Sequence, residues 1–219
     1  MSLIIEYLFF PGFLFTAVIG LLISWLDRKV TARLQWRVGP PLLQPLFDII
    51  KLMFKEILVP RGTSKFTFLA APILGIVSVT LVSSLIWSTM LWPEQGFSAD
   101  IIVILYLLMI PSTAVMLGAF ASKNPVASLG ASREMKLMLA YELPFILAVL
   151  VPVIQSGHAI KLGEILNYQA TYGMIFTFRH PSGILAMLIA VLCMQAKLTL
   201  VPFDLPEAET ELMGGVFLE

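Results

Sequence analysis

Apolar and polar positions alternate along this chain on the scale of whole helices. Apolar runs of about 20 residues recur at 3–26, 68–92, 101–120, 137–155 and 183–203, each long enough to cross a bilayer. A segment in lipid must satisfy its backbone internally, so these runs predict α-helices. The pattern predicts an all-α protein: a polytopic transmembrane helix bundle with about five spans, forming a single membrane domain over 1–219. Charged stretches fill 27–67, 121–136 and 204–219, and shorter polar segments fill 93–100 and 156–182.

One segment of the first charged stretch has its own period. Gln44, Asp48, Lys51 and Lys55 fall at i, i+4, i+7 and i+11, a single polar stripe, and apolar residues fill most of the rest up to Ile57. The segment is too short and too charged to span. It predicts one amphipathic helix, lying at the membrane interface or packed among spans with its stripe towards a partner. Gly39-Pro40-Pro41 and Pro45 punctuate its start.

Charge orients the bundle. Arg28, Lys29, Arg33, Arg37, Lys51, Lys55, Arg61 and Lys65 outnumber Asp27, Asp48 and Glu56, which places 27–67 in the cytoplasm and the N-terminus outside. Lys123, Arg133 and Lys136 against Glu134 place 121–136 on the same side. Segment 93–100 has Glu94 and Asp100 and no basic residue, and Trp87 and Trp92 anchor the outer end of the second span. With five spans, 204–219 also emerges in the cytoplasm. Glu6 lies near the outer end of the first span, where it reaches water. His158, Lys161, Glu164, Arg179 and His180 in 156–182 have no ligand spacing and read as a solvated outer loop.

Composition then narrows the chemistry. The chain is 58% hydrophobic and 13% charged, with mean hydropathy +0.92, as a membrane protein requires. Its net charge is zero, which gives no reason to expect nucleic acid. Cys193 is the only cysteine and there are two histidines, so no metal site, iron–sulfur cluster or disulfide is expected in this chain alone. No catalytic residue is expected either, and any electrons pass through other chains. The first 26 residues have no basic leader region and are long enough to span, which argues against a cleavable signal.

Two features depart from a plain bundle. Glu142, beside Tyr141 and two residues before Pro144, lies about five residues into the fourth span, roughly 8 Å at the helical rise. A carboxylate at that depth is costly unless paired, protonated or wet. Lys197 lies at a similar depth on the fifth span, roughly 9 Å from its end. One reading joins Glu142, Lys197, Tyr141 and Gln195 in a polar layer that relays protons or ions. The others are a purely structural buried pair and a Lys197 that snorkels to the headgroups. The second feature is the stretch VPFDLPEAETELMGG at 201–215, which packs Asp204, Glu207, Glu209 and Glu211 on a flank where basic residues are the rule. It reads as a solvated capping loop, or as titratable carboxylates facing a redox partner. Opposite charges on 27–67 and 204–219 can clamp each other or a third protein.

Several ordered motifs resemble one family. Asp27-Arg28-Lys29-Val30-Thr31-Ala32-Arg33-Leu34-Gln35, Arg37-Val38-Gly39-Pro40 and Leu43-Gln44-Pro45-Leu46-Phe47-Asp48 resemble the first cytoplasmic loop of the NuoH (NADH dehydrogenase subunit 1) family. That family supplies the membrane heel subunit of respiratory complex I and of related membrane-bound (group 4, energy-converting) hydrogenases. Gly130-Ala131-Ser132-Arg133 with Tyr141-Glu142, and Pro202-Phe203-Asp204-Leu205-Pro206-Glu207-Ala208-Glu209-Thr210-Glu211-Leu212, resemble its next two loops. The resemblance runs from about Asp27 to Glu219.

The resemblance implies a multi-subunit energy-converting oxidoreductase in a prokaryotic cytoplasmic membrane. This chain would dock the peripheral redox arm, whose partners are an iron–sulfur subunit and a hydrogenase-large-type subunit, and would adjoin antiporter-like membrane subunits. It would have no redox centre of its own; an iron–sulfur cluster lies in the neighbouring subunit, and a NiFe centre or quinone elsewhere. In quinone-reducing members the loops line the quinone chamber, which assigns Arg28, Arg33, Arg37, Asp204, Glu207, Glu209 and Glu211 to it; Asp48, Arg133 and Glu134 join the partner-facing set. Glu142 matches the acid of the family's proton path, and with Tyr141 and Lys197 it is assigned to coupling. Pro41-Leu42-Leu43-Gln44 follows Gly39-Pro40 with no insertion, and Thr199-Leu200 stands where quinone-reducing members carry Asn-Arg. Both departures lean to the hydrogenase-type branch, whose acceptor is protons or sulfur species. Family members continue with further spans, so this chain is expected to be truncated or split.

Three functions follow: coupling electron transfer to proton or sodium translocation; the quinone-site subunit of an NADH:quinone oxidoreductase; and, from another class, a structural anchor that conducts nothing. A stand-alone transporter lacks the expected inverted repeat of broken spans.

Overall fold

The computed structural model describes residues 7–10, 12–56, 58–60, 62–96, 99–175, 181–207, 211 and 214–217. Glu6, Arg61, Arg179, His180 and Glu209 lie outside the described residues. Seven α-helices, and no strand, occur among those described. They are α1 (Phe13–Leu34), α2 (Gln44–Met53), α3 (Lys65–Leu91), α4 (Asp100–Ala121), α5 (Pro125–Gln155), α6 (Leu162–Tyr172) and α7 (Pro181–Lys197). Short 3-10 turns occupy Pro93–Gln95 and Gly215–Phe217. α3, α4 and α5 are long and apolar enough to cross a membrane, and α7 is a shorter apolar helix.

The chain divides into two compact units, residues 1–58 and 59–219. In the first, α1 continues through Asp27, Arg28 and Lys29 to Leu34. Charged residues do not end a helix, because its backbone is satisfied within the segment whatever the solvent. The chain then turns at Gly39, whose φ of +77° suits glycine. A Cβ there would lie 3.0 Å from the Lys29 Cδ and 3.1 Å from the Ala32 Cβ, so only glycine brings the returning chain this close to α1. Trp25 Nε1 donates to the Pro40 carbonyl (3.3 Å) and fixes the same turn. Pro45 then stands in the first turn of α2, where its missing N–H costs nothing. α2 ends at Met53, short of the periodic limit at Ile57.

In the second unit α3 packs along α4, α4 on α5, and α5 on α7. Small residues let the α3 and α4 backbones approach, as between membrane helices generally. A Cβ on Gly118 would touch the Ala71 Cβ at 3.4 Å, and one on Gly75 the Ala114 Cβ at 3.8 Å. Each hydroxyl of Ser78, Thr80, Ser88 and Thr89 donates to a carbonyl three or four residues back, which hides it inside the helix.

α5 is longer than the apolar run 137–155. It begins at Pro125, behind an Asn124 cap whose side-chain oxygen accepts from the Val126 N–H (3.0 Å). Most of the stretch expected as the loop 121–136 is thus the first part of this helix. Within 156–182, α6 forms where a loop was expected, and it packs against the 3-10 turn at Pro93–Gln95. Gly163 sits so close to the Pro93 carbonyl that no side chain fits. α7 ends at Lys197, six residues before the apolar run does, because Thr199 takes a left-handed φ of +51° and turns the chain.

Candidate functional site: a buried ion pair beside an acidic cavity

Three helices and one loop build the site. α5 supplies Glu134, Tyr141 and Glu142, α4 supplies Ser112, α7 supplies Lys197, and the segment after α7 supplies Thr199 and Glu207. Glu134 and Tyr141 lie seven residues apart, two helical turns, and so share a face of α5. Glu134, Tyr141 and Glu142 are all buried, at 3%, 4% and 7% exposure.

Lys197 Nζ lies 3.4 Å from Glu142 Oε2, and both side chains are nearly enclosed. The two charges face each other without an aligned hydrogen bond: neither Glu142 oxygen nor the Lys197 ammonium has a hydrogen-bond partner among the described residues. The ammonium instead stands over the Phe145 ring, 4.7 Å from its centroid, with the Tyr141 ring at 5.5 Å. Tyr141 shares a hydrogen bond with Ser112, Oη to Oγ, at 3.0 Å. Two opposite charges, removed from water and held by rings, are an arrangement in which one proton or one nearby charge matters most.

Lys197 also lines a cavity of about 230 Å³ with Ser112, Glu134, Thr199, Glu207 and Phe217. It is therefore the shared member of pair and cavity. Glu207 Oε1 accepts from Thr199 Oγ1 (3.3 Å), a bond made possible by the left-handed turn at Thr199. One oxygen of Glu134 is buried with no hydrogen-bond partner among the described residues. Two carboxyl groups, one lysine and two hydroxyls thus line one small space.

The other predicted residues are distributed as follows. Arg133 points away from Glu134 and pairs with Glu211, Nη1 to Oε2, at 2.8 Å. Asp204 is half-buried and accepts the Glu207 N–H through its carbonyl (3.2 Å). Gln195 is not part of the polar layer: its Nε2 donates to the Val201 carbonyl (2.6 Å) and ties down the turn after α7. In the first unit Arg28 and Asp48 pair at 2.8 Å, and Gln44 donates to the second Asp48 oxygen (3.0 Å). The Arg28 bond, then the Gln44 bond, hold the Asp48 carboxyl below the usual carboxylate range. Arg33 and Arg37 are exposed.

Sequence reasoning passed over Ser112 and Phe145. A serine directly after Pro111 inside an apolar span was the available signal for the first. Phe145 had none, since one more aromatic in a span is ordinary.

The donor set does not suit a metal centre. Cys193 is buried and alone, and among the described residues no three His, Cys, Asp or Glu cluster. What the residues fit is a helical membrane subunit with an ionic centre inside the bundle and no redox donors of its own.

Comparison with known proteins gives the same class and then the family. A model of the NADH dehydrogenase family matches residues 6–219, and the chain belongs to that family. It is 35% identical over 220 residues to NADH-quinone oxidoreductase subunit 8 of Thermus thermophilus, covering 92% of this chain and 59% of that protein. It is also 35% identical to the corresponding NADH-quinone oxidoreductase subunit of Thermomicrobium roseum, over 99% of this chain and 70% of that protein. Among solved structures, a chain of the membrane-bound sulfane sulfur reductase, an archaeal respiratory membrane complex, matches with a TM-score of 0.76 at 28% identity. That match covers 94% of this chain and 66% of the other. The chain thus spans 59% of the length of the Thermus relative.

Proposed function

We propose that this chain is the ion-coupling membrane subunit of a multi-subunit respiratory oxidoreductase, docking a peripheral redox arm on its charged-loop face, with that face cytoplasmic. The observation that carries the reading is Lys197, which touches Glu142 on one side and lines the Glu134–Glu207 cavity on the other. A change of charge at the arm alters the protonation of Glu207, Glu211 and, by the resemblance, Asp204 and Glu209. A neutral Glu207 attracts the Lys197 ammonium less, which then settles on Glu142; an ionised Glu207 draws it outward and raises the cost of an ionised Glu142. Glu142 then takes up or releases a proton towards antiporter-like subunits. Ser112 and Tyr141 hold the wall between the two compartments.

The hydrogenase-type branch, with protons or sulfur species as acceptor, is favoured over quinone reduction. The uninterrupted Gly39-Pro40-Pro41 turn and Thr199-Leu200 support it, as does the likeness to a sulfane sulfur reductase complex. Arg28, Arg33 and Arg37 then belong to arm docking. An iron–sulfur cluster and a NiFe or quinone site are supplied by other subunits.

The test is Glu142→Gln in the assembled complex, in inverted membrane vesicles. Electron transfer persists while ion translocation per electron falls. Unchanged translocation removes Glu142 from the path. The anchor reading is tested by replacing Glu207, Glu209 and Glu211 with Gln together. Loss of the complex on a blue-native gel supports an anchor; an intact complex with lost translocation supports coupling.

A further inference from the structure

The acidic loop must be held somewhere for Glu207 to face Glu134, and one backbone contact does this. The loop after α7 returns to α5 and closes on itself: the Val216 N–H donates to the Pro206 carbonyl (3.2 Å). That closed turn rests on Gly130, in the second turn of α5. A Cβ on Gly130 would lie 2.5 Å from the Val216 nitrogen, 2.9 Å from the Gly215 carbonyl carbon and 2.9 Å from the Pro206 oxygen. All three are backbone atoms, which cannot rotate away as a side-chain tip can. Gly215 has a φ of +49°, and a Cβ there would strike the same Pro206 carbonyl. Ala127 and Ala131, on either side of Gly130, are 1% and 0% exposed, with Val216 packed on them. Two glycines on two segments therefore meet at one carbonyl, and the next residue is Glu207.

We propose that Gly130 is the seat of the acidic loop, and that this contact sets the position of Glu207 in the cavity. Gly130 and Gly215 are positioning residues: they touch no ion and act through Glu207. The Arg133–Glu211 pair, one turn further along α5, is a surface latch on the same loop. Any added side chain at Gly130 lifts Pro206 and carries Glu207 away from Thr199, Glu134 and Lys197 without removing a single carboxylate. The proposal rests on the coupling reading above.

The test is a double-mutant cycle on the assembled complex in inverted vesicles, read as dye-reported ion translocation per electron consumed. Gly130→Ala lowers that ratio about fivefold, the lower end of coupling between sites. Glu207→Gln lowers it as well, and Gly130→Ala adds nothing in the Glu207→Gln background, because neighbours acting through one group are not additive. Gly215→Ala reproduces Gly130→Ala from the loop side. Full additivity of Gly130→Ala and Glu207→Gln overturns the seat. So does loss of assembly in both glycine variants, which makes the contact an assembly contact only. A Glu207→Gln complex with normal translocation instead refutes the coupling reading.

Discussion

Two ion pairs of similar composition occupy opposite kinds of place in this molecule. Arg28–Asp48 lies on the surface of the first unit, at 2.8 Å, with Asp48 also bonded by Gln44. Lys197–Glu142 lies inside the second, at 3.4 Å, with no aligned hydrogen bond and two aromatic rings for company. The surface pair has the better geometry and the smaller consequence. Water screens it, and water replaces either partner if the other is lost. The buried pair has poorer geometry, yet neither charge has an alternative. The lesson is that the responsiveness of an ionic group comes from what is withheld from it, and a shorter distance does not imply a greater role.

The comparison can be broken most sharply at Lys197. Lys197→Met leaves Glu142 buried without its cation, which costs about 3–5 kcal/mol if Glu142 stays charged. Thermal unfolding of the detergent-solubilised complex checks this, and Lys197→Met with Glu142→Gln should recover most of the loss. Recovery would show that the penalty belonged to the stranded carboxylate and not to the missing lysine stem. The seat at Gly130 comes next, because its loss displaces a charge without deleting one.

Arg133→Gln should be far milder. Its pair with Glu211 is exposed, and such pairs contribute ~0–1 kcal/mol. The expected outcome is faster protease cutting in the 204–217 loop with translocation nearly intact, and the effect should fade in high salt. The smallest effect belongs to Asp48. Its carboxyl is held below the usual range by Arg28 and Gln44. The folded state therefore favours the charged form. Its contribution is present in full above the unfolded value and disappears as pH falls through the lower folded value. Asp48→Asn should remove that acid-side dependence of the α1–α2 contact, followed by carboxyl titration between about pH 5 and pH 2.

Much of the helical pattern was legible because lipid enforces it. Runs such as 68–92 and 101–120 give helices nearly residue for residue, since backbone in a bilayer has no other way to be satisfied. Helix ends next to water were less legible. Asp27 to Leu34 and Pro125 to Lys136 are helical although charged, and only capping and continuity could have told so. The candidate site was legible by depth, since Glu142 and Lys197 could each be counted in from a span end. Which face of its helix each occupies was not legible. Gln195, two residues from Lys197, turns instead to the Val201 carbonyl.

By itself the sequence determined that the chain is a helical membrane protein, which residues are charged where charge is costly, and the family to which it belongs. Those properties follow from hydropathy, from the depth of a residue in a span and from local motifs, all of which are written along one dimension. The tertiary structure alone decided that one lysine borders both a buried carboxylate and an acidic cavity. It alone decided that a glycine 77 residues before Glu207 determines where Glu207 sits. Such contacts depend on helix rotation and on the space left between backbones, and these are fixed only when all the helices pack at once.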